Sequence, residues 1–286
     1  MTTHIHPAAR IGIVKLKVSN LERSVAFYKE VVGLKELNRK GNTAELTVDG
    51  VHPLVVLREL DHADVLPRKA GAGLYHFAIL LPDRASLGLA VRNLIEHQIS
   101  VGQGDHLVSE ALYINDPDNN GIEIYADRPR ETWQRDEQGH YVMSTDQVDI
   151  EGLLAASEGL EWAGLPLGTQ IGHVHFHVSD LKKAEEFYTQ VLGFDIVATY
   201  GQAALFISAG GYHHHIGLNT WAGVGAPPVP ENAAGLDYYE LVLPDRSELE
   251  AVVQRLKNAG AEVQQKQGDW FARDPFNIQV KLVAQG

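Results

Sequence analysis

Cysteine is absent from this 286-residue chain. Its absence excludes disulfides, thiolate metal sites and a cysteine nucleophile, and it fits a reducing cytoplasm. No apolar run approaches the roughly 20 residues of a membrane span. The N-terminus has no apolar core of the secretory kind, so neither a leader nor a membrane anchor is expected. Positive charge is scarce: 24 Lys and Arg stand against 37 Asp and Glu, a net charge of −13. Non-specific binding to nucleic acid is therefore not expected.

The rest is the composition of an ordinary globular protein, with 44% hydrophobic and 21% charged residues. The length suits two domains of common size. Histidine is plentiful, with 14 copies, and some of these are candidate metal ligands or acid–base groups.

One carboxylate stands out. In LVSEALYINDPDNNGIEIY, from Leu107 to Tyr125, Glu123 lies between Ile122 and Ile124 near the end of a strand-like run. A strand alternates faces, so Glu123 points away from both isoleucines. A carboxylate on an inner face needs a partner, and a metal ion is one. His76, in LYHFAILL, is a candidate second ligand. A lone histidine on an apolar strand is more often a satisfied core residue, so this reading needs support from elsewhere.

Internal repetition supplies it. Four segments open alike: IGIVKLKVSNLERSVAFYKEVVG from Ile11, LYHFAILLPDRASLGLAVRNLIEH from Leu74, IGHVHFHVSDLKKAEEFYTQVLG from Ile171, and LDYYELVLPDRSELEAVVQRLKNAG from Leu236. Each is a β-rich run, then Asn20, Asp83, Asp180 or Asp245 at a helix N-cap position, then an amphipathic helix. Val25, Tyr28 and Val32, like Ala184, Phe187 and Val191, follow at helical spacing. Further strand-like runs come after each helix. The expected fold is α+β, four βαβββ modules over 11–70, 74–127, 171–222 and 235–284. Modules one and three match each other, as do two and four, so the chain reads as a duplicated pair with halves 1–127 and 171–286. Residues 128–170 are long for a linker. They read either as a cover over a neighbouring pocket or as a strap across the sheet, with a short helix in DIEGLLAASEG.

These modules resemble the vicinal oxygen chelate superfamily over nearly the whole chain. That superfamily includes glyoxalases, fosfomycin and bleomycin resistance proteins, and type I extradiol ring-cleaving dioxygenases. The stretch GDHLVSEALYINDPDNNGIEIYADRPR resembles the extradiol signature, and the chain is similar to the bacterial catechol-cleaving group. The resemblance implies two domains of glyoxalase/dioxygenase type. It also implies metal ligands at two places in a module, the first strand and the last.

The first-strand position, seven residues before the N-cap, is Ile13, His76, His173 and Tyr238 in modules one to four. The last-strand carboxylate is Glu123 in module two, and Gln279 is read at the matching place in module four. Modules one and four then hold no metal. His76, Glu123 and His173 form a 2-His-1-carboxylate set, the facial triad of non-haem Fe(II) oxygenases; Mn(II) is the alternative ion. The commonest extradiol enzymes draw ligands from modules three and four, whereas this set needs module two to pair with module three. The rival set takes all three ligands from module two, with His106 in place of His173.

The resemblance assigns other roles too. His214 matches a histidine on the open side of the metal, with His213 and His215 as near alternatives; the run lies in the strand-like GGYHHHIGLNTW, where adjacent members are expected to face opposite ways. His106 and Tyr113 match residues that contact the bound diol, although a packed strand tyrosine is a plainer reading of Tyr113. His175 and His177 share a face with His173 and read either as packing groups or as groups that support the metal ligands from behind. The 116–120 stretch reads as a turn. The implied reaction is extradiol cleavage of a catechol by dioxygen to a hydroxymuconic semialdehyde, in a cytoplasmic homo-oligomer. A glyoxalase-type isomerase or thiol transferase and a non-catalytic binding protein are the other readings.

Overall fold

The computed structural model describes residues 4–285. All four predicted caps are present. The side chains of Asn20, Asp83, Asp180 and Asp245 each accept a hydrogen bond from the backbone N–H three residues on. They start α1 (Leu21–Phe27), α2 (Arg84–Glu96), α4 (Leu181–Glu185) and α5 (Arg246–Asn258). α3 (Ile150–Ala156) lies in the connecting segment, capped by Asp149. No described helix is long and apolar enough to cross a membrane.

Around these helices the strands run in four sets. Module one holds β1 (Arg10–Val18), β2 (Lys35–Lys40), β3 (Thr43–Thr47) and β4 (Pro53–Glu59). Module two holds β5 (Gly73–Leu81), β6 (Gly102–Asp105), β7 (Ser109–Asn115) and β8 (Gly121–Asp127). Module three holds β9 (Gln170–His177), β10 (Asp195–Tyr200), β11 (Ala204–Ser208) and β12 (Ile216–Asn219). Module four holds β13 (Gly235–Leu243), β14 (Val263–Lys266), β15 (Asp269–Arg273) and β16 (Gln279–Ala284).

The strands form two eight-stranded sheets, ordered β14-β15-β16-β13-β1-β4-β3-β2 and β10-β11-β12-β9-β5-β8-β7-β6. One sheet joins modules one and four, the other modules two and three. The sheets therefore do not follow the halves 1–127 and 171–286. Each takes one module from either side of the connecting segment. This is the pairing that a His76–Glu123–His173 set requires.

Strand alternation sorts the side chains. Val174 and Phe176 of β9, Phe77 and Ile79 of β5, and Ile122 and Ile124 of β8 join one core with Val14, Leu16 and Tyr239 of the other sheet. The opposite face of the same strands carries His173, His175, His76 and Glu123. Apolar residues thus bind sheet to sheet while the chemical residues line the inside of the module-two and module-three sheet.

Consecutive modules are tied differently. The helices of modules one and three pass into π turns at Tyr28–Val32 and Glu186–Val191. Tyr28 donates its hydroxyl to Asp116 Oδ2 at 3.1 Å, and Tyr188 donates to Asp274 Oδ2 at 3.0 Å. Asp116 also accepts from the N–H of Asp118 and Asn120, and Asp274 from Phe276 and Ile278. The 116–120 turn is therefore a turn, as predicted, and also the lock between modules one and two. Its twin at Asp274 locks three to four.

Burial raises the Asp274 carboxyl from 3.8 to about 6. Between those values the folded chain holds a proton that the unfolded chain has released. The protonated carboxyl therefore stabilises the fold at low pH, and that contribution is lost as pH rises through about 6. Asn at this position keeps an acceptor for both N–H groups and does not titrate. The unfolding free energy of the wild type, relative to Asp274→Asn, should fall by roughly 2–3 kcal/mol between pH 4 and 7. Denaturant unfolding across that range measures it, and parallel pH profiles would contradict it.

Candidate metal centre

His76 on β5, Glu123 on β8 and His173 on β9 converge because their strands are neighbours. Ala78 lies opposite Glu123 in one ladder and opposite His173 in the next. One donor atom from each residue falls within 4.8 Å of the others, and all three residues are buried. Glu123 Oε2 lies 3.0 Å from His173 Nε2 and 2.9 Å from His76 Nε2. The second contact is off the line that a hydrogen bond needs, so His76 has both ring nitrogens buried and unpartnered. His173 Nδ1 is likewise unpartnered among the described residues.

Protonation fits a cation. Burial alone would raise the Glu123 carboxyl, but His173 and His76 together outweigh it and hold the group well below the usual carboxylate range. Burial lowers His76, which keeps its imidazole neutral. A charged carboxylate beside neutral imidazole is the state that binds a divalent metal. The unpartnered Nε2 of His76 is an orphan that a metal would satisfy. The donor set therefore fits a metal ion held from one side.

Tyr113 lies directly across the β7–β8 ladder from Glu123. Its hydroxyl is 2.6 Å from His106 Nε2, and His106 Nδ1 is 2.7 Å from the Ser144 carbonyl. A carbonyl only accepts, so His106 carries its proton on Nδ1 and Nε2 accepts from Tyr113. Both nitrogens of His106 are thus engaged, and it stands outside the His76–Glu123–His173 cluster. Burial holds the Tyr113 hydroxyl well above its ordinary range, so it stays protonated.

The histidine run differs from expectation. A continued strand would send His213, His214 and His215 to alternate faces. Instead Gly210 and Gly211 adopt φ of 58° and 68°, which ends β11, and β12 starts only at Ile216. In the bend between them His213 Nδ1 meets His214 Nδ1 at 2.8 Å, and His213 Nε2 lies 2.9 Å from Asp127 Oδ1. The His214 ring tilts over His173 with centroids 4.0 Å apart. His215 turns away and accepts from the Ala209 N–H.

Sequence reasoning missed several neighbours. Asn219 bridges the two remaining β9 histidines: its Nδ2 donates to His175 Nε2 at 2.9 Å, and its Oδ1 accepts from His177 Nδ1 at 2.6 Å. Tyr212 links Tyr125 to Asp127 through hydroxyl contacts of 2.7 and 3.2 Å. The connecting segment lies against this end of the site. Beyond the Ser144 contact, Trp133 packs on Tyr212 and His213, and Tyr141 donates to the Gly211 carbonyl.

The matching face of modules one and four corrects one position. Glu240 pairs with Lys281 as Ala78 pairs with Glu123. The counterpart of Glu123 is therefore Lys281, and Gln279 sits one rung earlier on the same face. The Lys281 ammonium lies 2.9 Å from Asp269 and 3.3 Å from Glu240. With Ile13 and Tyr238 beside it, this face carries its own cation in place of metal ligands.

Residues 10–124 and 170–281 match the Glyoxalase/Bleomycin resistance protein/Dioxygenase superfamily. The chain belongs to that superfamily. It is 57% identical over 276 residues to a catechol-2,3-dioxygenase of Bacillus subtilis (strain 168), covering 96% of this chain and 97% of that protein. Two solved structures share the superfamily fold at low identity. A protein of Bacillus subtilis subsp. subtilis str. 168 matches with TM-score 0.65 and 12% identity, over 98% of this chain and 86% of that one. Glyoxalase I of Zea mays matches with TM-score 0.55 and 16% identity, over 97% and 92%.

For a superfamily member the ligand question reduces to His173 against His106. His173→Ala and Glu123→Ala should each lower metal affinity by at least about tenfold, and His106→Ala should leave metal content near that of the wild type. Metal analysis after dialysis reads this. Full occupancy in His173→Ala, with loss in His106→Ala, would reverse the assignment.

Proposed function

We propose that the chain is an extradiol catechol dioxygenase that uses Fe(II), with Mn(II) as the alternative ion, at His76, Glu123 and His173. The observation that carries the reading is this buried 2-His-1-carboxylate cluster in a chain so similar to a catechol-2,3-dioxygenase. When bound, the metal supplies Lewis acidity that lowers the catechol hydroxyl pKa, and open positions where diol and dioxygen meet.

The protein's own groups then divide the work. Tyr113 keeps its proton and donates to His106, so its oxygen is free to accept from a diol hydroxyl and orient it. The Ser144 carbonyl fixes the His106 tautomer that makes this possible. His214 has its Nδ1 engaged by His213, which leaves Nε2 to give and take a proton beside His173. Burial holds His214 well below the ordinary histidine range, so it starts neutral, as a base. The ring bond beside the diol breaks, both atoms of dioxygen enter the product, and a hydroxymuconic semialdehyde results. The cysteine-free chain suits a cytoplasmic setting for this chemistry.

A glyoxalase-type isomerase is the second reading. It generally needs a fourth ligand, often another carboxylate. Among the described residues the cluster contains one carboxylate, and nearby Asp127 is engaged by His213.

Protein reconstituted with Fe(II) and given catechol in air should form a yellow product and consume one O2 per catechol. His214→Phe should retain its iron and lose about 100-fold or more in kcat. Loss of iron from that variant would overturn the division of roles. An iron-loaded wild type that leaves catechol intact would overturn the function.

A further inference from the structure

A cavity of about 350 Å³ lies between the two sheets, and its wall carries six cationic side chains: Lys17, Arg58, Arg68, Lys69, Lys266 and Arg273. This is an unusual surface in a chain of net charge −13. Three acids share the wall, Asp118, Glu231 and Asp237. Two of them are already paired, Asp118 with Arg23, and Asp237 with Lys15 and Arg58. Lys17, Arg68, Lys69 and Lys266 have no acid within ion-pair distance among the described residues. The wall is therefore net positive.

A second, smaller pocket lies beside this cavity and reaches one of the metal-site histidines, His76. This pocket, of about 60 Å³, is lined by Arg68, Lys69 and His177, which also line the cavity, and by Tyr75, His76 and Tyr113. The other end of the site is covered by the connecting segment through Ser144 and Trp133.

Arg68 and Lys69 do not float. Their loop is pinned by backbone bridges from Asp64 to Ala233 and from Ala72 to Pro228. Asn119 Nδ2 donates to the Leu66 carbonyl at 3.0 Å, and Arg68 Nη1 donates to Asn115 Oδ1 at 3.2 Å. Among the described residues, the remaining guanidinium N–H groups of Arg68 and the ammonium of Lys69 have no acid within ion-pair distance. A cleft walled by one sign of charge raises the local concentration of the opposite ion. Unsubstituted catechol is uncharged and makes no use of such a wall.

We propose that Arg68 and Lys69 select a catechol whose ring carries an anionic side chain of the carboxylate class. The ring passes to His76 and Tyr113 while the carboxylate stays against these two cations in the vestibule. This rests on the catechol-cleaving reading above and adds the substrate class to it.

The test compares 3,4-dihydroxyphenylacetate with its uncharged methyl ester, on the iron-loaded wild type and on the double variant Arg68→Gln with Lys69→Gln. Anaerobic calorimetry gives Kd for both compounds, and aerobic assays give kcat/KM. The acid should exceed the ester by about tenfold in both measures in the wild type, the size of one charge-assisted contact. The double variant should bring the ratio below about twofold, and raised salt should do the same to the wild type. A wild-type ratio near one, or a ratio that the double variant leaves in place, overturns the vestibule's role. Tighter anaerobic binding of the acid without cleavage of either compound supports the vestibule and overturns the catechol-cleaving reading instead.

Discussion

The Glu123 carboxylate, buried between two imidazoles, dictates how the four modules pair. A buried charge is costly unless it is paired. His76 belongs to the same module as Glu123, but His173 comes from the far side of the connecting segment. The chain can bring it in only if β9 lies beside β5, so module two must pair with module three. Once that pairing is made, β1 and β13 are left to pair with each other, and the two-sheet arrangement follows. The Tyr28–Asp116 and Tyr188–Asp274 contacts then bind each module to its neighbour in sequence. Sheets tie the modules crosswise, and the turns tie them in order.

The two sheets solve the same problem in opposite ways. Each has an acidic group facing inward from its paired strands, Glu123 in one and Glu240 in the other. In the first, the carboxylate faces two imidazole rings and is free to take an external cation. In the second, the cation is built in as the Lys281 ammonium, on the rung that Glu123 occupies. That covalently fixed charge closes the face to metal. It leaves modules one and four to hold the shared core and one wall of the vestibule.

Much of this was legible because it is local or periodic. The four N-caps were readable from a small polar residue before an amphipathic run, since a cap acts within three residues. The faces of Glu123 and His173 were readable because a strand alternates with period two. Period two also explains the error at Gln279. Gln279 and Lys281 share a face, and the face alone does not fix the rung; only the neighbouring strand does. The histidine run failed for a related reason. Alternation predicts opposite faces for His213, His214 and His215, but two left-handed glycines end the strand before them. Asn219, Asp127 and Tyr212 were beyond reach altogether, because their partners lie 42 to 87 residues away and no local pattern marks such a contact.

Charge placement links the fold to the reaction. An acidic protein repels an anion from most of its surface, so selectivity for one can be concentrated at a single opening. The connecting segment covers one end of the site through Ser144 and Trp133, and the cationic wall with Arg68 and Lys69 lies beside His76 at another. Those two residues sit on the loop that joins the sheets, so the crosswise pairing that assembles the metal ligands also builds the wall that sorts what reaches them. Ring opening adds a carboxylate to the product, so whatever enters leaves more negative than it came. The same cations that hold an incoming acid also meet the outgoing product, and their hold must stay weak enough to let it pass. Exposed side chains on a pinned loop meet that condition: their position is fixed, while solvent screens the strength of the contact.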